Sequence, residues 1–287
     1  MTISVLTPTR NRADYLKLWL DCLANQTRKP DEVIIVDNGS TDNTQDVIRM
    51  YKKKLPIKSK LSRAKGYPKI YNEAIKMATS DIIAFLDDDC IAEPDWVENS
   101  ISAHKKYKNA AIQGKTESIP KGNIYVEVMG DHYQNWIKGN IIKGNEMVTF
   151  DNKNMSIPAK ILKNNLFLES MRLGAEDIEL GKRLRRKGVK IYYVPSIKAS
   201  HHERSTLKGF FYQHLRIAKG EAVLDKKLSE DEKVGMLVNK KNMLSLVSFL
   251  KRELSYLSKF DFISFFYLPF LYLLLLFTRI YGYMLKS

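Results

Sequence analysis

The stretch IIAFLDDDC, residues 82–90, runs from a short apolar segment straight into three adjacent carboxylates. A brief, bounded run rich in β-branched residues reads as a strand buried on both faces. The aspartates then fall at its carboxyl end. ISVL at 3–6 and VIIV at 33–36 have the same character. Between these segments lie helical patterns: Asp14 to Asn25 with Leu16, Leu20 and Leu23 on one face, about 44–51, and Lys69 to Met77. The order βαβαβ predicts an α/β fold, a doubly wound and mostly parallel central sheet with helices on both faces, whose ligand crevice lies at the carboxyl ends of the strands. Three polar clusters occupy those ends: residues 7–12 (TPTRNR), 37–40 (DNGS) and 87–89 (DDD).

The net charge of +15 makes the local concentration of acid conspicuous. Neighbouring carboxylates repel, and a bound divalent cation or protonation of one member relieves the repulsion. A solvated acidic turn is the plainer explanation. The position of Asp87, Asp88 and Asp89 directly after a buried strand favours a hard cation, Mn2+ or Mg2+, with oxygen ligands and open positions for phosphate. A second acidic group, Glu176-Asp177, opens a helical pattern that Gly188 stops. Acids in a first turn ordinarily stabilise the helix dipole by up to about 1 kcal/mol, and taken alone that reading suffices. Asp37 alone reads as a helix-entry cap. His201 and His202 follow a strand pattern, IYYV at 191–194, and could complete a metal site, although surface histidines are commoner.

Neither GxGxxG nor GxxxxGK[ST] occurs, so a nucleotide would be held without those loops. Residues 115–150 carry scattered aromatics and glycines and suggest no regular element, and Ser156-Ile157-Pro158 reads as a helix start. With only Cys22 and Cys90, neither a disulfide framework nor a cysteine metal site is supported, and a reducing compartment is expected. Arg10 and Arg12 precede any long apolar run, so no signal peptide is visible. Toward the other end, Met243, Val247, Leu250, Leu254 and Leu257 recur at helical spacing beside Lys251, Arg252 and Lys259. Residues 262–278 then carry no charge. We expect a helical C-terminal region, 221–287, whose segment at about 243–285 associates with a membrane, following a main domain of 1–220.

Six ordered motifs together resemble the family-two nucleotide-sugar glycosyltransferases of GT-A fold. They are Pro8-Thr9-Arg10-Asn11-Arg12, the run from Val36 to Asp42, Asn72 ahead of Phe85-Leu86-Asp87-Asp88-Asp89, Asn154-Met155-Ser156-Ile157, Glu176-Asp177, and Pro195 with His201. The resemblance covers about residues 1–220 and implies a nucleotide-binding half, 1–114, and an acceptor-binding half, 115–220. It implies that Thr7, Pro8, Thr9, Arg10 and Asp37 grip the nucleotide, that Asp87 and Asp88 join them, Asp88 at the ribose, and that Asp89 with His201 holds the metal. Asp177, with Glu176, would be the catalytic base, and Asn154 and Glu176 would meet the sugar or acceptor. Many relatives carry Arg before the Asn matched by Asn72. Tyr71 stands there, so the diphosphate contact would pass to Lys65 or Lys69.

The expected activity is therefore metal-dependent inverting transfer from a nucleotide-diphosphate sugar, a UDP-sugar foremost, to a sugar or lipid-linked acceptor at the cytoplasmic face of the cell membrane. A sugar-phosphate nucleotidyltransferase would need a glycine-rich first loop that is absent. A catalytically silent nucleotide-sugar-binding subunit has the same motifs and differs only in showing no transfer. Nucleic acid is not an expected partner, because basic charge is its only support.

Overall fold

The computed structural model describes residues 1–172 and 174–225, with isolated positions 273, 277 and 281. Its elements run β1 (Ile3–Thr9), α1 (Ala13–Ala24), β2 (Glu32–Asp37), α2 (Thr44–Tyr51), β3 (Ile57–Leu61), α3 (Tyr67–Met77), β4 (Ile82–Leu86) and β5 (Cys90–Ala92). They continue with α4 (Trp96–Lys106), β6 (Ala111–Ile119), α5 (Ile124–Asn140), β7 (Ile141–Lys143), β8 (Glu146–Met147), β9 (Asn154–Pro158), α6 (Ala159–Lys163), α7 (Glu176–Arg186), β10 (Ile191–His202) and α8 (Leu207–Asp225). One compact unit comprises Met1–Arg172 with Glu176–Glu203, and a second takes in Gly174, Ala175 and α8. The expected domain boundary at 220 falls within α8.

The first unit is built on one sheet of order β3-β2-β1-β4-β9-β6-β10-β8-β7, with β5 added beside β10. Strands β3, β2, β1 and β4 are mutually parallel, as the βαβαβ pattern predicts. The far half is mixed: β9 runs antiparallel to both β4 and β6, whereas β6 and β10 are parallel. The mostly parallel sheet expected from sequence is thus correct for the first half only. Strand β9 reverses direction in the middle of the sheet, and that reversal places the end of β4 beside the start of β9.

Every residue of β1, β2 and β4 is buried. Their side chains alternate between two cores, as a pleated strand requires. Ile3, Val5, Val33, Ile35, Ile82 and Ala84 meet Leu16, Trp19 and Leu20 of α1 and Trp96 and Val97 of α4 on one face. Leu6, Ile34, Val36, Ile83 and Phe85 meet Ile70 and Ala74 of α3 and Leu180 and Leu184 of α7 on the other. Burial on both faces explains why these strands read as unbroken apolar runs.

Several elements differ from the sequence reading. Strand β3 was not foreseen because it lies at the sheet edge, where Lys58 and Lys60 interrupt the apolar signal and guard the edge against pairing. Residues 115–150, expected to lack regular structure, contain most of β6 and the whole of α5. Helix α5 includes Gly130, and a Cβ there would lie 3.1 Å from Ser118 Oγ. Close packing therefore explains a glycine that reads as a breaker. Ser156-Ile157-Pro158 ends strand β9 rather than starting a helix, since pairing on both sides with β4 and β6 outweighs the local signal, and α6 begins only at Ala159. Strand β10 continues past Pro195, the missing N–H being absorbed at an irregularity between Val194 and Lys198.

Among the described residues no helix is long and apolar enough to cross a membrane. The amphipathic pattern at 243–257, and the uncharged stretch at 262–278 apart from positions 273 and 277, lie outside the described residues.

Buried polar groups tie the layers together. His104 of α4 is 2% exposed, and its Nε2 shares a 2.8 Å hydrogen bond with Ser156 Oγ of β9. Burial pushes the His104 imidazole down to about 4, so the folded chain holds it neutral. A depressed value means that the stability it supports is present above the unfolded value near ~6.5 and is lost as pH falls through the folded value. Wild-type stability should therefore fall between about pH 6.5 and pH 4 by ~2–3 kcal/mol more than that of His104→Gln, which keeps a hydrogen-bonding group without a titration. Urea unfolding at a series of pH values checks this, and parallel profiles for the two proteins would refute the assignment.

Candidate functional site

The carboxyl ends of β1, β2 and β4 lie side by side, so the loops that follow them interlock. The Asn38 amide donates to Thr9 O, and Asn11 donates to Ser40 Oγ while its own side-chain oxygen accepts from the Thr41 amide. Asn11 adopts φ +51, a conformation that asparagine tolerates better than most residues. Asp37 is fully buried and accepts from the Ser40 amide at 2.9 Å, from Ser40 Oγ at 2.6 Å and from Gln45 Nε2. Asp37 does not cap α2, whose N-cap is Asn43; it closes the turn at Ser40 instead. Thr7 is buried with its hydroxyl on Pro8 O, and Arg10 is exposed. Lys65 and Lys69 are exposed around the start of α3.

The three aspartates have three different environments. Asp87 Oδ1 accepts from the Tyr71 hydroxyl at 2.9 Å, and burial, reinforced by Asp89 and Asp151, pushes its carboxyl up to about 7. Asp88 accepts from Thr9 Oγ1 at 2.7 Å and from Arg12 Nη1 at 2.6 Å. Burial raises Asp88 despite the attraction of Arg12. Asp89 receives the same Arg12 Nη1 at 2.8 Å and lies 3.3 Å from His201 Nε2. Its burial is outweighed by His201 and Arg12, which hold it well below the usual carboxylate range. Protonation of one member and pairing with cations therefore both offset the repulsion that the sequence announces.

His201 lies within β10, not beyond it, directly across from Cys90 in the β5 register. Its Nδ1 is 2.8 Å from Glu203 Oε1. Burial opposes a charge on this ring, but Asp89 and Glu203 prevail and raise it to about 10. Glu203 in turn is drawn down to about 2 against its burial, chiefly by His201. His202 turns away, its ring 5.2 Å from that of Tyr15 and its amide on Asp89 O. Of the two histidines, His201 is the one whose ring lies against Asp89.

The second acidic group is linked to the triplet through the start of β9. The Asp87 amide donates to Lys153 O, and the Asn152 amide donates to Asp177 Oδ2 at 3.3 Å. Residues 151–153 thus bridge the aspartate triplet and the first turn of α7. Asp151 raises both Asp87 and Asp177, and the Tyr71 hydroxyl is raised by burial and then by Asp87 and Glu176. Burial, then Glu176 and Asp151, lifts Asp177 well above the ordinary carboxylate range. Glu176 is buried.

Four contributors were not foreseen as site residues: Arg12, Tyr71 as a partner of Asp87, the Asp151-Lys153 pair, and Glu203. Lys153 Nζ lies 4.0 Å from the centre of the Tyr133 ring and 3.5 Å from Asp151 Oδ2. It stays charged because Asp151, Tyr133 and Glu203 outweigh its burial. The DNK triplet before Asn154 gave only a weak signal, since its charges suit a surface loop equally well.

Asn154 requires a correction. It is 1% exposed, its Oδ1 accepts from the Trp96 indole at 2.8 Å, and its amide donates to Lys115 O and Ile197 O. A side chain so fully engaged locks β9, β6 and β10 together and has no group left for a sugar or acceptor. Gly114 shows how tight the joint is, since a Cβ there would lie 2.5 Å from Asn154 Nδ2.

Asp89 and His201 offer an oxygen and a nitrogen that a divalent ion accepts, whereas the neighbouring Cys90 sulfur is a soft donor ill suited to a hard one. Asp89, Cys90 and His201 offer ligand atoms that all lie within 4.8 Å of one another. Two ligands at right angles on an octahedral ion with bonds of ~2.1 Å stand ~3 Å apart, close to the 3.3 Å between Asp89 Oδ1 and His201 Nε2.

The family model described as Glycosyl transferase family 2 matches residues 4–170. The Validoxylamine A glucosyltransferase of Streptomyces hygroscopicus subsp. limoneus is 39% identical over 106 residues, 36% of this chain and 23% of that protein. The chain thus matches about a quarter of the length of the first curated relatives. A Methanococcus voltae protein, Dolichyl N-acetyl-alpha-D-glucosaminyl phosphate 3-beta-D-2,3-diacetamido-2,3-dideoxy-beta-D-glucuronosyltransferase, is 25% identical over 247 residues, 78% of this chain and 74% of its own. Among solved structures, a mannosyltransferase from Pyrobaculum calidifontis in complex with GDP-Man and Mn2+ superposes with a TM-score of 0.66 at 17% identity, over 98% of this chain and 83% of that one. The likeness establishes an α/β GT-A-like fold with a mixed sheet.

Asn154→Ala leaves the Trp96 indole and the Lys115 and Ile197 carbonyls short of partners. It should lower unfolding free energy by about 2–3 kcal/mol, the range expected for unsatisfied buried polar groups. Nucleotide affinity of the folded fraction should be unchanged. Urea midpoints and equilibrium titration with nucleotide check the two halves, and weakened binding at intact stability would restore Asn154 to the ligand site.

Proposed function

The chain belongs to glycosyl transferase family 2 and is a glycosyltransferase, and from that premise we propose a metal-dependent, inverting reaction at the Asp89–Asp177 crevice. The observation that carries this reading is the bridge of residues 151–153, which brings the carboxylates at the end of β4 and those at the start of α7 to one end of the sheet. The donor is a nucleotide-diphosphate sugar. A UDP-sugar is the first to test, followed by a GDP-sugar. Loops 7–10 and 37–40 and Asp88 lie where the nucleotide would meet the sheet, with Lys65 and Lys69 exposed nearby for the diphosphate.

Asp89 and His201 would hold Mn2+ or Mg2+, which supplies electrophilic neutralisation of the diphosphate leaving group. Glu203, whose Oε1 lies 2.8 Å from Nδ1, would help orient His201 as an ion-pair partner while Nε2 faces Asp89. Asp177 takes the proton of the acceptor hydroxyl as that oxygen attacks the anomeric carbon from the face opposite the leaving group. Burial beside Glu176 and Asp151 makes the Asp177 carboxylate a stronger base than one in water. The buried Glu176 is placed to position the sugar or acceptor. The acceptor is a sugar or lipid-linked hydroxyl in polysaccharide or glycolipid synthesis, and a membrane-associating segment at about 243–285 would hold the enzyme at the cytoplasmic face of the membrane.

Asp177→Asn keeps the shape and removes the base. Transfer should fall by about 10²–10⁴-fold, the usual weight of general-base catalysis, while nucleotide affinity stays within about twofold. Product release from a panel of nucleotide-sugars with Mn2+, repeated after chelation with EDTA, measures both requirements. Undiminished transfer by the variant would move the base elsewhere, and full activity in EDTA would remove the metal from the reaction.

A further inference from the structure

One guanidinium nitrogen, Arg12 Nη1, lies 2.6 Å from Asp88 Oδ1 and 2.8 Å from Asp89 Oδ2. It therefore holds together the two carboxylates that a divalent ion would approach. Both aspartates are buried, whereas the Arg12 side chain is 22% exposed. Arg12 occupies the turn immediately before α1, where its carbonyl accepts from the Leu16 amide, so its backbone is anchored independently of its side chain. Its guanidinium carbon is also 5.9 Å from the centre of the Tyr15 ring, an aromatic face on the helix it precedes. Thr9 Oγ1 and His201 would remain on the aspartates if Arg12 left, so the loop does not depend on it alone.

We infer that Arg12 is a resident counter-ion, bridging Asp88 and Asp89, that competes with the divalent metal for Asp89, and that an arriving nucleotide diphosphate helps draw it off. The inference rests on the metal reading given above and adds a specific function for a residue outside the ligand set. Arg12 holds Asp89 by Oδ2 while Oδ1 faces His201 Nε2, and a guanidinium and a divalent ion on the two oxygens of one carboxylate repel each other strongly. The free ion thus binds against the cost of displacing Arg12. A diphosphate alters the balance twice, by offering oxygens to the ion and by giving the displaced guanidinium an anionic partner that it recognises well. Metal and nucleotide then bind with positive coupling, each raising the affinity for the other by the same factor.

The test is Mn2+ binding to the full chain followed by electron paramagnetic resonance of the free ion, with and without UDP and GDP. Arg12→Gln should bind Mn2+ on the order of tenfold more tightly than wild type without nucleotide, and should show a correspondingly smaller gain when nucleotide is added. Arg12→Lys, which keeps the charge, should stay near wild type. Arg12→Gln leaves buried carboxylates without a cation, so thermal unfolding is measured in parallel. Mn2+ should raise its melting temperature more than that of wild type, and recovery of a folded variant on adding Mn2+ would count in favour of the inference. Equal or weaker Mn2+ binding by folded Arg12→Gln overturns the counter-ion role while leaving the metal site intact. No Mn2+ binding by wild type with either nucleotide overturns the metal reading and this inference with it.

Discussion

Mutual repulsion among carboxylates at the end of β4 is the constraint around which this site is arranged. Three consecutive aspartates at the mouth of a buried strand cannot all carry charge in a low-dielectric setting without compensation. The fold supplies it from separate directions. Arg12 from the loop after β1 spans Asp88 and Asp89, His201 from β10 faces Asp89, and the Tyr71 hydroxyl from α3 donates to Asp87. Each compensating group depends on a different element being in register, so the electrostatics of the triplet and the topology of the sheet stand or fall together.

The mixed half of the sheet turns this compensation into a site. A wholly parallel sheet would end with one row of loops at the carboxyl edge. Reversal of β9 between β4 and β6 instead delivers an amino-terminal strand end, residues 151–153, into that row. The Asn152 amide donates to the Asp177 carboxylate and the Lys153 carbonyl accepts from the Asp87 amide, while Lys153 adds a positive charge beside Asp151 and Glu203. Asn154, one residue further on, is consumed in holding the reversed strand to its neighbours. A conspicuous asparagine in a recognisable motif is here a structural joint, and the chemistry lies on the residues just before it.

The parts legible in the sequence were those written in local patterns. Strands β1, β2 and β4 are buried on both faces and so appear as continuous apolar runs; α7 announces itself by first-turn acids and by Gly188 at φ +83. Strand β3 was hidden because an edge position lets lysines replace apolar residues, and α5 because Gly130 is demanded by Ser118, a neighbour distant in sequence. Arg12 and Glu203 were equally obscure as site residues. Nothing adjacent to either one indicates that it meets Asp88, Asp89 or His201, since those contacts exist only after the sheet has closed.

Tyr71 illustrates how one departure from an expected pattern is absorbed by the rest. An arginine at that position would place a formal charge beside Asp87. The tyrosine brings only a hydroxyl, held among Phe85 and Phe167 with ring centres 5.5 Å and 5.3 Å away. A neutral donor in an apolar pocket stabilises an ionised carboxylate less than a guanidinium would, which accords with an Asp87 carboxyl raised to about 7 by burial and its acidic neighbours. Positive charge is supplied elsewhere, by Arg12 on one side of the triplet and by Lys153 near the other. Positive charge thus comes from the loop after β1 and the start of β9 rather than from α3, on side chains anchored at different strands of the same sheet.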